Sequence, residues 1–362
     1  MNALEVSRYA IAFLLALGVT VAATPIVKKI ALRFDIVDKP TGGRKIHKRT
    51  MPYLGGVAIA LGFFVGYFYI KPDIPAAGAF LTGAVLILLT GIIDDKFTLP
   101  ARYKLLGQLA AAVLVVASGI TVDFIQFPVI GRVEFGLWAY PITVLWIVGI
   151  TNAINLIDGL DGLASGVSSI ALSTMLIVGI LENQYAAMAL SIILLGGTIG
   201  FLFFNLHPAK IFMGDSGAMF IGYTLAIISI IGLYKSLTIF SLIIPIVILA
   251  VPIFDTSFAI IRRLAKGQKI STPDRMHLHH CLLNMGFSHR TTVFIIYTIS
   301  LFFGVSAIVF SRSVLWGSLL ILILCIGLIR FTVELLGAWN NKRKPLVNAV
   351  KKIVVQGSKS KG

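Results

Sequence analysis

Charge is what this sequence has least of. Only 13% of its 362 residues are charged, and the 15 acids are outnumbered by 31 basic residues. A soluble domain of this length needs more polar side chains than that to cover its surface. Cysteine is scarce too: Cys281 and Cys325 are the two present, which excludes a disulfide framework. No polar stretch is long enough to suggest an independent soluble domain. The first apolar run lacks a strongly basic leader and a cleavage site, so it reads as a retained helix rather than a removed signal peptide.

What fills the chain instead is apolar. Hydrophobic residues make up 57% and the mean hydropathy is +0.95. Apolar runs of roughly 17–25 residues recur between short polar segments, the pattern of a polytopic helical membrane protein. The expected fold class is therefore all-α, with about eleven transmembrane helices. Their cores lie near residues 9–27, 53–70, 77–93, 105–120, 138–156, 163–181, 186–204, 218–234, 239–261, 293–310 and 314–331.

The net charge of +16 is unevenly distributed. Most Lys and Arg fall in one alternating set of loops, which the positive-inside bias places in the cytoplasm. That puts the N-terminus outside and the C-terminus inside, in the plasma or inner membrane. Residues 1–336 read as one integral membrane domain and 337–362 as a basic tail resting on anionic lipid, with no nucleic-acid role. Thr121–Leu137 alternates apolar and polar residues around Gly131 and reads as a small extracytoplasmic β-hairpin. Oligomeric state is not legible; a homodimer is one arrangement the chain permits.

The acids that matter cluster at cytoplasmic helix ends. In Asn152–Gly166, Asn155, Asp158 and Asp161 are spaced three apart, which on a helical turn puts them on nearly one face. Gly159 and Gly162 there would let a backbone or phosphate come close. Two readings stand for this stretch, a metal or substrate site and a solvated polar turn. The pair Asp94-Asp95 repels itself and wants a cation, or else forms a solvated turn. Asp215 follows Gly214 and precedes Gly217, again leaving room for a phosphate. Carboxylates converging from separate loops suit Mg²⁺, with Mn²⁺ as the alternative. Lys45, Arg102, Lys104 and the histidines supply positive or polar contacts for phosphate oxygens. His277, His279 and His280 beside Cys281 lack the spacing of paired zinc ligands. Asp255, inside an apolar run, favours an ion-pairing or packing role. Phe212 is either a helix anchor or a stacking platform for a base.

Taken together, Asp94-Asp95-Lys96, Asn155-Leu156-Ile157-Asp158-Gly159-Leu160-Asp161-Gly162, Asn205 through Gly217 and His277-Leu278-His279-His280 resemble the polyprenyl-phosphate N-acetylhexosamine-1-phosphate transferase family. The likeness runs from about Pro25 to Arg290. It implies a Mg²⁺-dependent reaction in which a polyprenyl phosphate, such as undecaprenyl phosphate, attacks the sugar-proximal phosphorus of a UDP-N-acetylhexosamine and UMP leaves. It implies a metal role for Asp215 and a catalytic role for Asp94 and Asp95 in handling the lipid phosphate, with Asp158 and Asp161 as further candidate catalytic residues. Nucleoside contacts are implied for Lys45, Asn205, Phe212 and Asp161, and contacts near the diphosphate for His279 and His280; His47, Lys104, Asn155 and His277 are further candidate substrate-binding residues.

The histidine segment alternates as His277-Leu278-His279-His280-Cys281 and has no following acid. The phospho-MurNAc-pentapeptide branch typically carries three consecutive histidines and then an acid. The expected donor is therefore UDP-GlcNAc, feeding a cell-envelope glycan of the teichoic acid or O-antigen type, with the MurNAc-pentapeptide reaction as the alternative. From another class, a secondary transporter is a rival, but transporters place charge near the bilayer midplane. An intramembrane prenyltransferase would release diphosphate rather than UMP.

Overall fold

The computed structural model describes residues 3–38, 50–127, 131–233, 243–269, 276–312 and 327. Lys45, His47, the expected span at 314–331 and the basic tail 337–362 lie outside the described residues, residue 327 excepted. The described chain is mostly helical. Its helices are α1 (Ala3–Arg33), α2 (Gly55–Ile70), α3 (Ala77–Phe97), α4 (Ala101–Ala117), α5 (Ala139–Ile157), α6 (Leu163–Leu181), α7 (Tyr185–Asn205), α8 (Gly214–Ile228), α9 (Ile243–Ile248), α10 (Ala250–Ala265), α11 (Leu278–Asn284) and α12 (His289–Arg312). Among the described residues, seven segments are long and apolar enough to cross a membrane. Helix α2 is apolar but shorter, at 16 residues.

The expected span at 239–261 is a correction. Within its described part the chain forms two helices, α9 and α10, parted at Leu249. Pro252 has no N–H to give to the carbonyl one turn back, so the helical ladder is interrupted there. Two short antiparallel pairs complete the architecture. Phe124–Phe127 (β3) pairs with Gly131–Glu134 (β4), the hairpin expected from the alternation. Val37–Asp38 (β1) pairs with Met51–Pro52 (β2), which the sequence did not suggest.

Helix α8 is the axis of the bundle. All its residues except Asp215 are buried. In a membrane the drive to associate comes from close packing, which small residues permit. A Cβ on Gly56 of α2 would collide with the Gly217 backbone, and one on Gly91 of α3 with the Ser216 backbone. Further along, Phe63 and Phe64 of α2, Phe80 of α3 and Phe220 of α8 form an edge-to-face cluster. Tyr223 stacks on Phe80 and its O–H donates to the Phe80 carbonyl at 3.0 Å. The large apolar side chains left exposed, such as Leu14, Phe68, Leu106 and Phe294, stand on outer helix faces, as contact with lipid requires.

Candidate active site

The N-terminus of α8 meets the C-terminus of α3. Asp95 Oδ1 accepts the Asp215 N–H at 2.7 Å, and Oδ2 accepts the Ser216 N–H at 3.3 Å and the Ser216 hydroxyl at 2.7 Å. Asp95 thus satisfies two of the donors that a helix start leaves open, and its charge complements the helix dipole. Its partner Asp94 is buried. Asp94 Oδ1 accepts the Leu99 N–H at 2.6 Å, and Oδ2 pairs with Lys104 Nζ at 2.7 Å. The same ammonium reaches Asp215 Oδ2 at 2.5 Å. Lys104 therefore bridges two carboxylates that come from helices α3 and α8.

On the other side of Asp215 lies a cleft of ≈ 220 Å³. Asp38, Tyr53, Asn155, Asp158, Asp161, Asn205, Phe212 and Asp215 are in its wall. Its floor is held by backbone pairing. The Phe212 N–H donates to Pro52 O, while Gly55 and Gly56 donate to the carbonyls of Phe212 and Met213. The strand β2 and the start of α2 thereby fix the loop before α8. Phe212 and Tyr53 face each other with ring centroids 5.9 Å apart.

Asn205 also borders the cleft, and its amide ties the surrounding loops together. Oδ1 accepts the Gly162 N–H and the Ser165 hydroxyl, each at 3.0 Å, and Nδ2 donates to Ile211 O at 3.1 Å. Asn155, on the same wall, directs its side-chain amide at the Asp215 carboxylate. Asp161 Oδ2 accepts His207 Nδ1–H at 2.8 Å and the Ala209 N–H at 3.1 Å. The Asp161 N–H donates to His289 Nε2 at 3.2 Å, and the His207 and His289 rings stack at 4.2 Å.

The histidine segment is displaced from the cleft wall. His277 is buried, with Nδ1 against Asp255 Oδ2 at 2.8 Å. His279 is buried too, and its ring lies on Gly159, where a Cβ would collide with it. His280 packs beside His279 at 4.2 Å and is half-buried. The room expected over Gly159 is thus taken by an imidazole, and that over Gly214 by the Asp95 carboxylate. These glycines serve close protein packing, a second use of the same steric freedom.

Burial pushes the Asp158 carboxyl up to about 8, with repulsion from Asp215, Asp95 and Asp161 adding to it. Burial also drives His279 down to about 3, so its ring is neutral at physiological pH. An acid-rich cleft whose own members repel each other is one that a cation relieves. Asp215 and Asp158 offer hard oxygen donors to it, which fits Mg²⁺. Asp161, His207 and His289 also bring possible ligand atoms within 4.8 Å of one another. His207 bonds the Asp161 carboxylate and His289 bonds its backbone N–H, so the two histidines clasp Asp161.

The glycosyl transferase family 4 profile matches residues 77–233. A probable undecaprenyl-phosphate N-acetylglucosaminyl 1-phosphate transferase of Bacillus subtilis (strain 168) is 47% identical over 352 residues, covering 96% of this chain and 97% of the other. The chain belongs to the polyprenyl-phosphate N-acetylhexosamine-1-phosphate transferase family. The transferase is also 37% identical over 311 residues to a decaprenyl-phosphate N-acetylglucosaminephosphotransferase of Mycobacterium tuberculosis (strain ATCC 25618 / H37Rv), with 77% and 76% of the two chains covered. An undecaprenyl-phosphate alpha-N-acetylglucosaminyl 1-phosphate transferase of Escherichia coli (strain K12) is 27% identical over 269 residues, 73% of each chain. The matched family segment contains Asp94, Asp95, Asp158, Asp161 and Asp215, and ends before α10 and the histidine segment.

Sequence reasoning did not single out Asp38, Tyr53, His207 or His289. His207 and His289 lie 46 and 128 residues from Asp161. Only the long-range folding of the chain brings them together. Asp38 and Tyr53 reach the cleft through the two-residue strands β1 and β2, too short to leave a periodic signal.

Proposed function

We propose that this membrane enzyme transfers GlcNAc-1-phosphate from UDP-GlcNAc to undecaprenyl phosphate or a similar polyprenyl phosphate. The products are polyprenyl-diphosphate-GlcNAc and UMP, and the step opens synthesis of a cell-envelope glycan. We place the cleft on the cytoplasmic side of a chain with about eleven spans, N-terminus outside. The observation that carries the reading is the convergence of Asp158, Asp161 and Asp215 in one cleft, with Lys104 and Asp94 directly behind Asp215.

A phosphate oxygen of the lipid attacks the sugar-proximal phosphorus. The anhydride bond to UMP breaks as the new one forms, and UMP carries away the electron pair. One phosphoanhydride replaces another, so the reaction is expected to run readily in reverse. The lipid phosphate has a second pKa of about 6 and is already largely dianionic, so no strong base is required. Asp94 fits that economy. Its oxygens accept from the Leu99 N–H and from Lys104, so it holds Lys104 in place. Lys104 puts a positive charge beside the reacting phosphates. Phe212 and Tyr53 offer an aromatic wall to the donor's base. Asp215 and Asp158 would hold Mg²⁺, which when bound neutralises charge on the phosphate oxygens.

The test is UMP release by purified protein given polyprenyl phosphate, UDP-GlcNAc and Mg²⁺, with EDTA and Asp215→Ala as controls. Release that needs the metal and Asp215 is expected. Release with UDP-MurNAc-pentapeptide instead of UDP-GlcNAc would overturn the donor, and folded protein that frees no UMP would overturn the reaction.

A further inference from the structure

The loop that carries Asp158 and Asp161 touches a second layer of the protein on the side away from α8. Three contacts come from the C-terminal part of the described chain. The His279 ring lies on Gly159. His289 accepts the Asp161 N–H at 3.2 Å. The Tyr297 hydroxyl donates to Gly162 O. Of these, His279 sits against Gly159, the neighbour of the cleft acid Asp158, and it sits on α11, a helix of only seven residues. So short a helix does not hold itself in place. Something must set its position.

That something is a single buried carboxylate. Asp255 on α10 is 4% exposed. Its Oδ1 accepts the Leu278 N–H at 2.8 Å, which satisfies a donor at the start of α11. Its Oδ2 accepts from His277 Nδ1 at 2.8 Å. A carboxylate is acceptor-only, so His277 carries its proton on Nδ1 and its ring plane is fixed. The His277 and His279 rings then lie parallel, 6° apart in plane, with centroids at 6.0 Å. Arg262, two turns further along α10, adds a second strap by donating to Met276 O at 3.0 Å. The result is an unbroken chain of contacts from Asp255 through His277 and His279 to Gly159, the neighbour of Asp158.

We propose that Asp255 is a positioning residue for the transfer reaction, seating α11 so that His279 presses on Gly159 and holds Asp158 at the cleft. Asp255 touches no substrate. This rests on the reading of the cleft as the transfer site. It gives α10 and α11 a defined part in catalysis although they lie outside the matched family segment. Displacing a reacting group by about 1 Å costs on the order of a hundredfold in rate, so losing this support should show in kcat more than in KM for the donor.

The experiment combines Asp255→Ala, Asp255→Asn, Gly159→Ala and the Asp255→Ala/Gly159→Ala double variant. Asp255→Ala should lower kcat roughly a hundredfold, leave the donor KM within about threefold, and raise the Mg²⁺ needed for half-maximal rate. Asp255→Asn keeps an oxygen for Leu278 N–H and should recover part of the loss. Gly159→Ala pushes on the same ring from the other side and should give the same signature. The double variant should be little worse than the worse single one, because both disturb one contact. Hydrogen–deuterium exchange supplies a readout independent of turnover. In Asp255→Asn and Asp255→Ala, amides of residues 157–163 should exchange faster while those of α2 and α3 do not change. Multiplicative kinetic effects, or unaltered exchange at 157–163, would overturn the proposal. Altered exchange in a protein that frees no UMP would support the mechanical link and overturn the transfer reaction instead.

Discussion

Replacing Lys104 with Met tests the electrostatics of the site with two effects of opposite sign. The ammonium bridges Asp94 and Asp215 at 2.7 and 2.5 Å, and Asp94 is nearly buried. Removing one partner of a fully buried pair costs about 3–5 kcal/mol. Lys104 and Asp215 are each partly open to solvent, 27% and 28% exposed, which reduces the expected loss to about 2 kcal/mol. The metal-free variant should therefore melt below wild type in EDTA. The same substitution removes a positive charge that competes with a divalent cation. Two such charges about 5 Å apart repel by several kcal/mol at an effective dielectric of about 20, before solvent screening. Allowing for that screening, the half-saturating Mg²⁺ should fall about tenfold, and added Mg²⁺ should restore most of the lost stability. The rate at saturating Mg²⁺ should still fall by about 10²-fold, since the clamp on the phosphates is gone. The assays are thermal melts in detergent with and without Mg²⁺, and a Mg²⁺ titration of UMP release. An unchanged melting temperature in EDTA, or a raised Mg²⁺ requirement, would refute the reasoning.

Further outcomes follow from the same geometry. Asp95→Ala should cost about 1–2 kcal/mol by uncapping α8, and Asp95→Asn less, as read from melting temperatures. Gly91→Ala places a Cβ against the Ser216 backbone and should destabilise by about 1–3 kcal/mol, whereas Gly78→Ala meets nothing and should stay within about 0.5. The raised Asp158 group gives a pH signature in metal-free protein. A carboxyl whose folded pKa lies above its unfolded one contributes stability at low pH and loses it as pH climbs, here between about 4 and 8. Melting temperatures in EDTA should fall across that window, and Asp158→Asn should flatten the fall.

Much of the fold was legible because membrane helices announce themselves by long apolar runs. Apart from the span at 239–261, which is broken in two, the expected spans within the described residues coincide with helix, and the hairpin showed in its alternation. The break at Leu249 was readable too, since Pro245 and Pro252 both interrupt that run, but hydropathy alone treats proline as a mild residue. The acids of the cleft were legible as a set because carboxylates at helix ends are costly near a bilayer. Their division of labour was not. Asp94 and Asp95 are neighbours in sequence, yet one holds Lys104 and the other caps α8. Asp255 was legible as an ion-pairing or packing residue, but not its partners: His277 and the start of α11 lie 22 and 23 residues away. Such pairings are decided by tertiary packing, which leaves no mark in local spacing.

The most direct test of the central claim follows the phosphorus. UDP-GlcNAc radiolabelled in its β-phosphate is incubated with the protein, Mg²⁺ and undecaprenyl phosphate, and the lipid and aqueous phases are separated. Transfer of GlcNAc-1-phosphate puts the label in the lipid together with the sugar and leaves unlabelled UMP in water. Label retained in water-soluble UDP while the sugar moves to lipid, or no movement of either, would contradict the account.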